Sequence, residues 1–101
     1  MKRDADGFLC DLTDWNTRAA EIIAAEEGIT LTDAHHEVIL ALRDFYAQFG
    51  LSPAMRPLTK YLKEKLGKDK STSIYLLQLF PGSPAKIAAK IAGLPKPDNC
   101  L

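Results

Sequence analysis

Cys100 stands one residue from the end of a tail that holds two prolines in its last eight positions, Leu94 to Leu101. A thiolate attacks a sulfane sulfur and holds it as a persulfide, so cysteine is the natural side chain for carrying sulfur. A tail of this composition cannot continue a helix, and at roughly 3.3 Å per extended residue it reaches about 25 Å, far enough to enter another protein's active site. An ordinary thiol, with pKa about 8.5, is only a few per cent ionised at neutral pH. Lys90 and Lys96 lie close in sequence and favour the thiolate, although water screens them on an exposed tail. Taken alone, Cys100 reads also as a tail cysteine without a role.

The remaining chemistry-bearing residues offer less. Cys10 sits among Phe8, Leu9 and Leu12 and is expected as a half-buried structural thiol. His35 and His36 are adjacent, so on a helix they point about 100° apart and cannot clamp one ion together. They are expected at the surface or at a helix start. Two cysteines make neither a disulfide framework nor, without clustered histidines, a zinc site. The reading therefore includes no metal and no cofactor. Lys60, Lys63, Lys65, Lys68 and Lys70 follow a helix–turn–helix outline, which makes a DNA-binding module the rival from another class. Only Arg56 on the third helix could read a base bidentately, and lysines at this spacing usually form a solvated face.

Elements that could position the thiol follow from pattern and caps. At 101 residues, 47% apolar and 26% charged, the chain fits one domain with a modest core. Its zero net charge is unevenly spread: residues 1–50 carry ten acids against four bases, and residues 51–101 nine bases against three acids. No apolar run approaches the roughly 20 residues of a membrane span, and the start MKRDADGFLCD lacks the apolar stretch of a secretory signal. The expected compartment is the cytoplasm.

Asp6-Gly7 is a turn signal, with a short strand or hairpin remnant around Phe8, Leu9 and Leu12. A first helix is predicted from the cap Asn16 to Glu27, stopped by Gly28. A second starts at Thr32 or Asp33, carries the stripe Val38, Leu42, Phe45 and Phe49, and ends at Gly50. Ser52-Pro53 opens a third with proline in its first position, lined by Met55, Leu58, Leu62 and Leu66, and Pro57 delays or kinks its start. Ser73–Phe80 and Ser83–Ala92 complete the set, with Lys68–Ser71 as a polar linker and Gly93 as the last stop.

The closing segment Lys90-Ile-Ala-Gly-Leu-Pro-Lys-Pro-Asp-Asn-Cys100-Leu101 resembles the end of the DsrC/TusE family of sulfur-relay proteins. The likeness continues through Leu79-Phe-Pro-Gly-Ser-Pro-Ala-Lys86, Ser52-Pro-Ala-Met-Arg56, Arg43-Asp-Phe-Tyr46 and Glu26-Glu-Gly-Ile29, so it spans nearly the whole chain. The resemblance implies a mainly α fold: a small orthogonal bundle of about five helices, with a reduced N-terminal β-hairpin and an extended C-terminal arm. Residues 1–93 would form the body and 94–101 a flexible arm carrying the thiol. It implies Cys100 as the working residue of a sulfurtransferase that accepts sulfane sulfur as a persulfide. DsrC-like members have a second cysteine eleven residues earlier, where this chain has Ala89. That departure points to the TusE-like branch, with a TusBCD-like donor complex, an MnmA-like tRNA thiolase with its tRNA as acceptor, and no membrane partner. A DsrC-like carrier in dissimilatory sulfur metabolism is the alternative within the family. A family Trp matches His36 here, a family Arg matches Ile74, and the chain begins late against typical members.

Overall fold

Helices form where side chains can satisfy the loose backbone groups at their ends and an apolar stripe can be buried. The computed structural model describes residues 1–98 and builds five of them: α1 Thr17–Glu26, α2 Asp33–Phe49, α3 Met55–Leu66, α4 Ser73–Leu79 and α5 Pro84–Ile91. The mainly helical expectation holds. No strand occurs among the described residues; a single antiparallel bridge, Arg3 to Leu9, stands where a reduced hairpin was expected. The Asp4 carboxylate accepts from the backbone N–H of Asp6 and Phe8 at 2.9 and 3.0 Å, which closes the turn, and Phe8 and Leu9 drop into the core.

Asn16 caps α1 by accepting from the Ala19 N–H at 2.8 Å, as its type and place predict. Removing that acceptor leaves an orphan donor, so Asn16→Ala should lower stability by about 1 kcal/mol. Thermal unfolding of the two proteins side by side checks this; for a domain this size the shift is roughly 4–8 °C.

α2 begins at the cap Thr32 and ends at Gly50, whose φ of 71° lets the chain turn left-handed. α3 starts later than the Ser52-Pro53 reading. It begins at Met55, so Pro57 occupies the third helical position, where no backbone donor is needed and no kink arises. Ser52 and Pro53 lie before it, and both are buried. The linker coils into a short 3₁₀ turn, Lys68–Lys70, tied to α2 by the Lys70–Glu37 ion pair at 2.9 Å.

α5 lies against each of the other four helices. Its alanines explain this: Ala85, Ala88 and Ala89 are buried, and their small side chains let neighbours approach closely. Leu58 and Leu62 of α3, Val38, Ile39 and Leu42 of α2, Ile23 of α1, and Leu76 with Phe80 at α4 complete the core. The element that carries the arm is therefore also the one most firmly held.

Two expectations are corrected, and a third, His35 at a helix start, holds with the added finding that its ring is buried. Phe49, placed on the buried stripe of α2, is 55% exposed: it stacks on Phe45 at the rim of a groove shared with Pro57, Lys60 and Tyr61 of α3, while Phe45 meets Tyr61 edge-on further in. Cys10 is exposed, not half-buried, since the bridge at Leu9 turns its side chain outward. His35 is buried: its Nδ1 accepts from the Thr32 N–H at 3.0 Å and its Nε2 reaches the Leu79 carbonyl at 2.8 Å. A backbone N–H can only donate and a carbonyl only accept, so these two contacts select the tautomer with N–H at Nε2. It joins the start of α2 to the end of α4 and is spent on that.

Candidate functional site

The described chain ends two residues short of Cys100, so the expected working thiol lies outside the described residues. What can be built is the tether, and it is held closely. α5 ends at Ile91, and Gly93 takes φ 74°. Its N–H bonds to the Lys90 carbonyl at 3.2 Å and the Leu94 N–H bonds back to the Ala89 carbonyl at 3.0 Å, the paired closure of a left-handed helix end.

Such an end leaves carbonyls free, and two side chains from far upstream take them. The Trp15 indole N–H donates to the Ile91 carbonyl at 2.8 Å. The Arg43 guanidinium donates to the Ala92 carbonyl at 2.6 Å and lies 4.0 Å above the Trp15 ring. A cation over an indole face is attracted by the ring's quadrupole. Burial lowers the pKa of Arg43 from its usual value, and the guanidinium nonetheless keeps its proton. Trp15 is aimed by the turn before it, where Asp11 accepts from the Thr13 N–H at 2.9 Å.

Beyond Gly93 the chain does not leave the body at once. Leu94 is 2% exposed and belongs to the core, and the Ser52 hydroxyl donates to the Pro95 carbonyl at 2.5 Å. Pro97 is buried while Pro95, Lys96 and Asp98 are exposed. The expected boundary between body and free arm at 93/94 therefore falls inside packed structure. Leu94 and Pro97 bury apolar surface against the body and hold the segment there. A shallow cleft of about 170 Å³ runs beside this stretch, lined by Tyr46, Leu51 and Ser52 on one side and Pro95, Lys96 and Asp98 on the other.

Two of the expected thiol neighbours part company. Lys90 is committed to Glu27 at 2.8 Å and its side chain is only 15% exposed, so it serves the packing of α5 on α1. Lys96 remains on the tether, in the wall of the cleft. Ala89 is fully buried. A thiol at that place would be covered in the body as described, so an internal disulfide there needs the arm root to open. Lys60, Lys63, Lys65 and Lys68 are exposed, in keeping with a solvated face. Among the described residues no helix is long and apolar enough to cross a membrane.

Sequence reasoning missed Trp15 altogether, met Arg43 only as a piece of a resemblance, and met Ser52 there and as a helix opener. The signal available was composition: the lone tryptophan, placed just before a capped helix, with an arginine inside an otherwise apolar helical stretch.

A small helical body that grips the root of a terminal thiol tether defines the class, and comparison with known proteins agrees. The family described as DsrC like protein matches residues 1–101, and the chain belongs to it. Among curated relatives, the "Sulfurtransferase TusE homolog" of Haemophilus influenzae is 54% identical over 101 residues, covering all of this chain and 93% of that protein. The "Sulfurtransferase TusE" of Buchnera aphidicola is 48% identical, covering all of this chain and 89% of that one. Among solved structures, DsrC of Allochromatium vinosum superposes with a TM-score of 0.88 at 43% identity, over 98% of this chain and 88% of that one. The oxidized γ-subunit of the dissimilatory sulfite reductase (DsrC) of Archaeoglobus fulgidus gives a TM-score of 0.84 at 38% identity, over all of this chain and 92% of that one.

Proposed function

We propose that this protein is a cytoplasmic sulfur carrier of the TusE-like branch, a sulfurtransferase that holds sulfane sulfur on Cys100 and passes it on. The observation that carries the reading is whole-length similarity, near 50%, to relatives named sulfurtransferase TusE. It gains support from a tether whose root is fixed and whose last described residue, Asp98, is exposed.

Transfer needs no cofactor. The Cys100 thiolate attacks the outer sulfur of a donor persulfide, an S–S bond forms, the donor's own S–S bond breaks, and the donor leaves as a thiolate. Cys100 then carries the persulfide. An acceptor thiolate attacks the same outer sulfur, and Cys100 departs as the thiolate it was. No net oxidation occurs, and each step is ordinary thiol exchange. The body's part is to present the tail without reacting itself. Lys96 is the cation closest in sequence among those left exposed, and it favours the thiolate.

The donor is a TusBCD-like complex and the acceptor an MnmA-like thiolase bound to tRNA. With alanine at position 89 the arm has no second thiol of its own, so the sulfur leaves by transfer to another molecule. The test is single-turnover transfer from protein preloaded with labelled sulfur. With the thiolase, its tRNA and its cosubstrates, label should appear as 2-thiouridine at the rate it leaves Cys100. A loaded protein that keeps its sulfur in that mixture, yet yields it to a sulfite-reductase-type partner, would transfer the assignment to the dissimilatory alternative.

A further inference from the structure

We propose that the outer face of α3, through Arg56, Lys60 and Lys63, is a contact surface for the phosphate backbone of the acceptor's tRNA. The proposal deepens the sulfur-carrier reading and rests on it for the presence of tRNA. At about 100° per residue, positions i, i+4 and i+7 fall within about 60° of one another, along about 10 Å of helix. All three side chains are exposed. Leu58, Tyr61 and Leu62, on the opposite side of the helix, are buried. Thr59, the other outward neighbour, is polar and donates its hydroxyl to the Arg56 carbonyl at 2.9 Å. No apolar side chain interrupts the stripe.

Exposure alone would fit a solvated face; the arrangement of the charges does not. Solvated helix faces gain from opposite charges three or four residues apart. Here Arg56–Lys60 and Lys60–Lys63 set like charges at those spacings, and each such pair is mildly destabilising. Arg56 also stands in the first turn, where the helix dipole disfavours a positive charge and no acid offsets it. The chain has as many acids as bases, yet the counter-charges lie elsewhere. Three ion pairs form among the described residues, Arg3–Glu26, Lys70–Glu37 and Lys90–Glu27, and none involves the stripe. Glu64, the one acid of α3, lies off the stripe toward the groove lined by Phe45, Phe49 and Tyr61.

A helix that carries such a stripe against its own stability calls for a partner that supplies the negative charge. Protein interfaces deplete lysine and centre on apolar anchors, which the stripe lacks. Phosphate contacts need only cations on long side chains along one face, and they orient a complex without reading sequence. Phosphates alone do not separate RNA from DNA; the tRNA that the carrier reading brings to the acceptor complex does.

The test is binding of the full chain to fluorescently labelled unmodified tRNA, followed by anisotropy from 50 mM salt upward. The unaltered protein should bind with a log–log salt slope of about −2 to −3, as three phosphate contacts require. The triple variant Arg56→Gln, Lys60→Gln, Lys63→Gln should bind about tenfold or more weakly, with a slope nearer zero. Lys65→Gln, which removes a charge that lies over the Tyr61 ring and off the stripe, should stay within twofold. The melting temperature of the triple variant should not fall, which a structural role for these residues would require. Absence of binding tighter than about 1 mM at 50 mM salt, or equal binding by the triple variant, would overturn the proposal. So would a triple variant that loses affinity only for the tRNA-free thiolase, since the stripe would then face protein. Tighter binding to a DNA duplex of equal phosphate number would overturn the choice of RNA. Persulfide loading of Cys100 by a desulfurase is measured separately and should be normal in the triple variant, so failure of the carrier reading and failure of this surface leave different records.

Discussion

Cys100→Ser abolishes sulfur loading and leaves the body intact. The oxygen of serine neither forms a persulfide nor ionises near neutral pH, so no residual chemistry is available at that position. All of the described core contacts lie at or before residue 98, and a change beyond them should alter stability by no more than about 0.5 kcal/mol. Cys10→Ser should load as the unaltered protein does, even though Cys10 is exposed and chemically accessible. Incubation of the three proteins with a cysteine desulfurase and cysteine, followed by intact mass, checks this: one added sulfur atom in two of them and none in Cys100→Ser. Equal loss in both variants, or loading of Cys100→Ser, would remove Cys100 from its role.

Gly93→Ala should be the most damaging small substitution at the arm root. A φ of 74° costs a side-chain-bearing residue about 1–2 kcal/mol. The added Cβ would also fall inside Trp15, against its Cβ, Cγ and Cδ1, so the indole must leave its hydrogen bond to Ile91 and its place under Arg43. A total near 3 kcal/mol follows, which for this size is a loss of about 12 °C or more in melting temperature. Gly28 provides the control. Its φ is 75° and an added Cβ meets nothing within 4 Å, so Gly28→Ala should cost only the backbone part, about 1–2 kcal/mol. Equal effects at both glycines would show that the Trp15 lock is not as tight as described.

Local signals made much of this fold legible. Asn16 caps α1, Gly50 and Gly67 end α2 and α3, and the helical spacing of Leu58 and Leu62 marks a face that is buried. Each of these depends on residues within one turn of one another, which a sequence displays directly. What was hidden depends on partners distant in sequence. His35 is buried because a carbonyl 44 residues later needs a donor, and nothing around His35 announces Leu79. Phe49 continues a correct period in the last turn of α2 but stands at the open rim of the α2–α3 groove, so periodicity alone overextends the core. Arg43 reaches 49 residues to Ala92 and Trp15 reaches 76 to Ile91. Ser52 looked like a helix opener because Ser-Pro commonly is one, whereas its hydroxyl belongs to the tether 43 residues on. The hold of the body on residues 94–97 was not legible, because each of its partners lies far away in sequence.

The account turns on where the sulfur sits, and peptide mapping of the loaded protein measures that directly. The unaltered chain is loaded by a cysteine desulfurase with cysteine, its persulfides are trapped by alkylation, and the peptides are assigned by fragmentation. The account predicts the sulfur adduct on the C-terminal peptide at Cys100, with the Cys10 peptide carrying only the alkyl group. An adduct found mainly at Cys10, or a Cys10–Cys100 disulfide dominating in the monomer, would contradict it.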